Sequence, residues 1–202
     1  QALLNSKGAS FSTTLSASIS KPDLARFVTP QVYEQLHYFN NQLLNIGLSL
    51  SGNINNMAID TVAIDFPGVA TVNANGNVQN ILNTKNASGE IAFSGEVDDI
   101  RRFTGGNIHN DSINGKAEMF GKCYYNNGKI DSDIAVQSAN GQVDAKVSYD
   151  IQDKAYETQI NIGQLALSDI IPDIPLHKLT MNMKAQGRGI EIFSDSTIYN
   201  VD

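Results

Sequence analysis

Three histidines, one cysteine and two acidic clusters are the residues of this chain that could carry out chemistry. A nucleophile needs a base within reach, and a zinc site needs three or four His, Cys or carboxylate ligands. His37, His109 and His177 are widely separated and share no local motif. No H-E-x-x-H, G-x-S-x-G, Walker A or strand-linked G-x-G-x-x-G sequence occurs. Cys123 lies in Gly121-Lys122-Cys123-Tyr124-Tyr125. Lys122 would lower the thiol pKa if it faced it, but on a strand the two side chains point to opposite faces. The expectation is a structural cysteine. Asp131-Ser132-Asp133 begins like a calcium loop but lacks the later ligands and the Glu at the twelfth place. We read it as a solvated turn; the other acidic cluster is Asp98-Asp99. Gly187-Arg188-Gly189 also reads as a turn. These residues predict no catalytic residue, no metal site and no cofactor, so the expectation is a protein that is not an enzyme.

Charge narrows the partners. The formal net charge is −7, and the 14 basic residues are scattered, with Arg101-Arg102 the one basic pair. Nucleic-acid binding needs clustered Lys and Arg, so it is not expected. A single cysteine cannot form an intramolecular disulfide. No apolar run reaches the roughly 18 residues of a membrane-spanning helix. The chain starts at Gln1 without a leader pattern. We read residues 1–202 as one repetitive β module, a piece of a longer chain whose anchor lies outside it.

The elements that would position any site are strands. Residues 48–57, 72–81 and 91–100 share a pattern, with apolar residues first and third, Gly fifth, and Ile or Val seventh. Their central glycines, Gly52, Gly76 and Gly95, are 24 and 19 residues apart. Period-two alternation puts Leu48, Leu50, Gly52 and Ile54 on one face of a strand. Glycine at one place in successive strands predicts a sheet that curves along a common line. Alternation recurs through Phe11, Thr13, Leu15, Ala17 and Ile19. It returns in Val143, Ala145, Val147, Tyr149 and Ile151, then over 156–162 and 179–185. Asn126-Asn127-Gly128, Asn140-Gly141 and Asp153-Lys154 are turn signals. Strands joined by short turns predict an antiparallel meander.

A helical insertion is expected at about 22–45. Pro22-Asp23-Leu24 opens a turn of helix near 22–28. Thr29-Pro30 then precedes Val32, Leu36, Phe39 and Leu43 at helical spacing, predicting a longer helix near 31–44. Its polar face lacks basic residues, so packing against the sheet or over an edge of it is favoured over lying on a membrane.

The fold class that follows is mainly β: a curved, largely antiparallel, repetitive sheet forming an apolar groove, with one short helical segment near the N-terminus. The apolar stripes have two readings, the core of a two-sheet sandwich or the lining of a groove. The groove-lining candidates are Leu48, Leu50, Ile54, Val72, Val78, Ile91, Phe93, Val97, Val143, Val147, Ile160, Ile162, Met181 and Met183. An acyl chain suits such a lining.

The glycine-centred repeat resembles the repetitive β region of the AsmA superfamily, and the C-terminal half is most similar to its TamB-like (translocation and assembly module) branch. The likeness is carried by residues 100–108, 133–143, 156–160 and 162–165. Met183-Lys184-Ala185-Gln186-Gly187-Arg188-Gly189 and Ile19-Ser20-Lys21-Pro22-Asp23-Leu24-Ala25-Arg26-Phe27 carry it too. The resemblance implies a β-taco-like sheet in the periplasm, part of an inner-membrane-anchored protein of a diderm bacterium. It implies a groove that conducts phospholipid acyl chains toward the outer membrane, with outer-membrane assembly proteins as further partners. The alternative is a scaffolding module that assists outer-membrane protein assembly by strand-edge pairing.

Overall fold

The computed structural model describes residues 9–24, 26, 43–83, 86–98, 115–166, 178–189 and 198–201. Eleven strands form one sheet: β1 (Phe11–Ile19), β2 (Leu44–Gly52), β3 (Asn56–Phe66), β4 (Ala70–Gln79), β5 (Ser88–Val97), β6 (Ala117–Asn126), β7 (Lys129–Ser138), β8 (Gly141–Asp150), β9 (Ala155–Leu165), β10 (Leu179–Arg188) and β11 (Ile198–Val201). Strand order follows chain order and every pairing is antiparallel. β1 and β11 do not pair with each other, so the sheet is open. One helical turn, α1 (Lys21–Leu24), follows β1.

The tight turns close the hairpins for local reasons. At Asn127-Gly128 both residues have positive φ, 50° and 88°, the type I′ geometry that matches strand twist. After β8, Asp150 Oδ1 accepts the amides of Gln152 and Asp153 at 2.9 and 3.0 Å, and Lys154 takes φ 52°. Ile151 therefore sits in this turn rather than continuing β8. Phe66-Pro67-Gly68-Val69 forms a turn with Gly68 at φ 70°, and the Val69 amide donates to the Phe66 carbonyl at 2.9 Å.

β3 carries a bulge. Ser49 pairs with Thr61 and Leu50 with Ile59; on the other side Ile59 pairs with Gly76 and Val62 with Ala74. Asp60 and Thr61 together oppose Asn75, and the Ser51 hydroxyl donates to Asp60 Oδ1 at 2.9 Å. The bulge has a clear use. Met57 and Ile59 are odd-numbered while Val62 and Ile64 are even-numbered, so an unbroken strand would send the two pairs to opposite faces. The extra residue returns all four to one face.

Glycine allows neighbouring backbones to close up. A Cβ at Gly76 would overlap the Glu90 carbonyl oxygen, so β4 and β5 approach there only because Gly76 has none. The repeat glycines do not, however, share one line. Gly52 pairs with Met57, Gly76 lies between Ile59 and Ile91, and Gly95 lies between Val72 and Met119. These are three different rows of the sheet. Neighbouring strands run oppositely, so equal places in the sequence pattern fall at unequal heights.

Three further expectations change. The insertion near 22–45 contains α1 at 21–24; the longer helix near 31–44 falls mostly outside the described residues, and Leu44 opens β2. Asp131-Ser132-Asp133 is mid-strand in β7, not a turn, because Ile130, Ser132, Ile134 and Val136 alternate through it. Gly187 and Arg188 belong to β10, and only Gly189, at φ 93°, leaves it. His37, His109, His177, Asp99 and Arg101-Arg102 lie outside the described residues.

Candidate functional site: an apolar face of one sheet

Residues paired across antiparallel strands share a face, so the register sorts every strand position. One face collects most of the apolar residues in five rows that run across the strands, while Phe120 and Tyr124 stand on the other. A row at one end reads Met57, Val78, Gly89, Tyr125, Ile130, Tyr149 and Tyr156 from β3 to β9. The next reads Leu50, Ile59, Gly76, Ile91, Cys123, Ser132, Val147 and Thr158. The central row is Leu15, Leu48, Val62, Ala74, Phe93, Gly121, Ile134, Ala145, Ile160 and Met183. Beside it run Ala17, Ile46, Ile64, Val72, Gly95, Met119, Val136, Val143, Ile162 and Met181. Ala70, Val97, Ala117, Ser138 and Gly141 form the far row.

Size varies along the rows in a way that lets side chains interlock. Phe93 stands between Ala74 and Gly121. Its ring covers Gly121 so closely that a Cβ there would lie 2.6 Å from Phe93 Cζ. Large beside small fills the surface without a second layer of protein.

The sequence-predicted lining meets on this face with one exception. Leu48, Leu50, Val72, Val78, Ile91, Phe93, Val97, Val143, Val147, Ile160, Ile162, Met181 and Met183 all stand in these rows. Ile54 does not: β2 ends at Gly52, whose φ of 116° turns the chain, and Ile54 lies in the bend before β3. The prediction passed over Ile46, Met57, Ile59, Val62, Ile64, Met119, Ile134 and Val136. The same alternation marks each of them, but β3 hides it behind the change of phase at Asp60.

Among the described residues, no strand belongs to a second sheet, so the two-sheet sandwich reading is replaced by a single layer. Among the described residues, the buried hydrophobic ones are Val69, Ala87 and Ala117, at 4–7% exposure. On β4 and β6 the apolar-face positions are half-buried or buried while those of the other face are exposed. Leu15 and Met181, near the two lateral edges, remain 55% and 38% exposed. With strands about 4.8 Å apart and paired rows about 6.8 Å apart, β1–β10 and five rows cover on the order of 1,200 Å². A monomer in water leaves a few hundred Å² of contiguous apolar surface open.

The face is not uniform. Tyr125, Tyr149 and Tyr156 edge it at one end, with Tyr149 directly opposite Tyr156. A tyrosine presents an apolar ring and a polar tip, so this rim suits a boundary between oily and wet surroundings.

The opposite face carries the charge. Lys122 reaches Glu90 at 3.7 Å, Lys146 reaches Asp133 at 3.7 Å, and Lys129 reaches Asp131 at 3.5 Å. These side chains are 41–73% exposed, so each pair contributes at most about 1 kcal/mol. Cys123 is on the apolar face between Ile91 and Ser132, and Lys122 is on the other. Among the described residues, no three His, Cys, Asp or Glu side chains gather as a metal site requires. Also among them, no helix is long and apolar enough to cross a membrane.

Comparison of the chain with protein families, with curated proteins and with solved structures returns no match.

Proposed function

We propose that this chain is a segment of an envelope-biogenesis protein similar to the AsmA superfamily and its TamB-like branch, and that its apolar face conducts phospholipid acyl chains. The observation that carries the reading is the continuous set of apolar rows with a tyrosine rim at one end. A phospholipid has the matching division, with long apolar chains and one polar end. Each CH₂ removed from water is worth about 0.8 kcal/mol, so a chain of roughly 16 carbons gains on the order of 10 kcal/mol before ordering costs. In this reading the segment works in the periplasm, the anchor lies outside the segment, and no cofactor takes part.

Val147 and Val72 are the positions at which to test it. Phe93 is less suited, because its ring also covers Gly121. Replacing Val147 or Val72 by Asp puts a carboxylate on a face without a second layer, so folding should persist while acyl contact is lost. A photo-reactive residue at Val147 should cross-link phospholipid in a gently purified preparation, and Val72→Asp should remove that cross-link. A folded protein that yields no lipid adduct and no co-purifying lipid by mass spectrometry would overturn the reading. Scaffolding by strand-edge pairing is the second reading. One observation favours it: the outer edge of β1 pairs with no strand among the described residues.

A further inference from the structure

The polar face divides into two halves of different chemistry. From β5 to β10 it carries Lys and Arg interspersed with Asp and Glu. From β1 to β4, among the described residues, it carries no Lys or Arg, and its charges are Asp60 and Asp65 alone. The other positions of that half are hydroxyls and carboxamides, with Ala and Gly between them. On β4 they are Thr71, Asn73, Asn75, Asn77 and Gln79, all exposed.

Where the halves meet there is a cleft of about 350 Å³, and its polar-face lining is Asp60, Thr61, Asn73, Asn75, Ala92 and Ser94. The register explains its shape. Ala92 pairs with Asn75, and its methyl group leaves a low floor beside that amide. The bulge in β3 sets two residues, Asp60 and Thr61, opposite Asn75 as one wall. The Ser51 hydroxyl holds one Asp60 oxygen at 2.9 Å. Ser94 lies between Asn73 and Phe120. Phe120 is 41% exposed, an uncovered ring on a hydrophilic face.

Those groups limit the ligand. The strands here are already paired on both sides, so no further strand can add to them, and side chains must make the contacts. A phosphate wants Lys or Arg, and the lining has neither. A calcium ion wants six or more oxygens from several carboxylates and carbonyls, and Asp60 is the one carboxylate of the lining. A hydroxyl-rich neutral ligand fits better. Carboxylate and carboxamide oxygens accept from hydroxyls, carboxamide N–H groups donate to them, and Ser and Thr do both. A flat apolar ring such as that of Phe120 can stack on the C–H side of a sugar. We propose that this cleft binds a neutral glycan, with one sugar ring held by Asp60, Asn73, Asn75 and Ser94 and the next lying on Phe120. The cleft is at the lower end of the roughly 300–1,000 Å³ of ligand sites, which suits one ring at a time. It lies on the face opposite the acyl-chain rows, so the failure of either reading leaves the other standing.

The test is heteronuclear NMR titration of the isotope-labelled 202-residue chain. Maltotriose, cellotriose and chitotriose are the neutral probes, and tri-galacturonate is the charged one. The expected result is saturable amide shifts with at least one neutral trisaccharide, centred on residues 60–61, 73–75 and 92–94, with a dissociation constant on the order of 1 mM. Asn75→Ala should weaken that binding about fivefold, as the loss of one hydrogen bond does. Phe120→Ser should weaken it as well, whereas Lys146→Ser, in the charged half, should not. Asn75, Phe120 and Lys146 are all exposed, and an unchanged thermal midpoint checks that each variant keeps the fold. The mapping on the wild type does not depend on any variant. No saturable shift at about 20 mM of any neutral probe overturns the proposal. So do shifts centred on β7–β9, tighter binding of tri-galacturonate, or an affinity that Asn75→Ala leaves unchanged. Binding that EDTA abolishes overturns it in favour of a cation site.

Discussion

The two faces of this sheet are made from the same strands and teach different things about what holds it together. On the apolar face, cross-strand neighbours fit by size, as Phe93 does between Ala74 and Gly121. Contacts there are tight enough that a single methylene matters. On the other face, three pairs of neighbours are matched by charge, and these ion pairs at 3.5–3.7 Å are largely exposed and weak. The apolar face therefore sets register and most of the stability. The polar face sets solubility and tolerates change.

Two deletions would break this division most severely or not at all. Removing Asp144 from β8 puts Val143 on the face opposite Ala145, Val147 and Tyr149. Denaturant unfolding should show a loss of at least about 3 kcal/mol, since turning one large apolar side chain outward costs about 1.5–3 kcal/mol and its neighbours lose their partners. Removing Asp60 from β3 should be much milder, because it takes out the bulge and leaves Met57, Ile59, Val62 and Ile64 on one face. If the two deletions cost the same, the faces do not control register.

A smaller effect separates the faces at their glycines. Gly76→Ala adds a methyl group that overlaps the Glu90 carbonyl, and should cost about 1–3 kcal/mol. Gly47 lies on the polar face, where a Cβ would meet Ala63 Cβ at an ordinary 3.7 Å. Gly47→Ala should be neutral or should stabilise by about 0.5 kcal/mol, because alanine has less backbone freedom to lose. Thermal or urea unfolding of both variants checks the contrast.

The smallest effect concerns charge alone. Glu96 and Glu118 pair directly across β5 and β6, and Lys116 Nζ lies 3.2 Å from Glu96 Oε1. The hydrogen bond to Glu96, then the charges of Glu96 and Asp98, raise the Lys116 pKa above its ordinary 10.5. A raised lysine pKa stabilises fully below the unfolded value and is lost as pH rises through the folded one. Lys116→Met should therefore remove a slight fall in stability above about pH 10.5, seen as a small difference between the two pH profiles.

Much of this arrangement was legible in the sequence, and the places where it was not have physical reasons. β1, β8 and β10 alternate cleanly, so the side-chain period of two placed Leu15, Val147 and Met183 on one face without any knowledge of pairing. Ile54 was misplaced because the count of two ran straight through Gly52-Asn53, a turn signal in its own right. In β3 the apolar residues change from odd to even between Ile59 and Val62. That change of phase is the sequence mark of a bulge, but it becomes visible only once the flanking strands fix the faces. The glycine repeat misled about a common line across the strands, since pattern position says nothing about height when alternate strands reverse. Asp131-Ser132-Asp133 looked like a turn because acidic residues suit turns, but Ile130 and Ile134 on either side decide that stretch. The acyl-chain reading is a different matter. Alternation shows that an apolar face exists, whereas what lies against it is written in no local motif.

The strand order, which simply repeats the chain order, bears on how the molecule comes into being. Each strand needs only the one made just before it, so no strand waits for a distant partner and loop-closure costs stay low at the tight hairpins. Such a sheet can assemble progressively as the polypeptide emerges, like a zipper whose described part has eleven teeth. Its length is also free to vary. Adding or removing a hairpin changes how far the apolar face extends without disturbing the faces of the strands that remain.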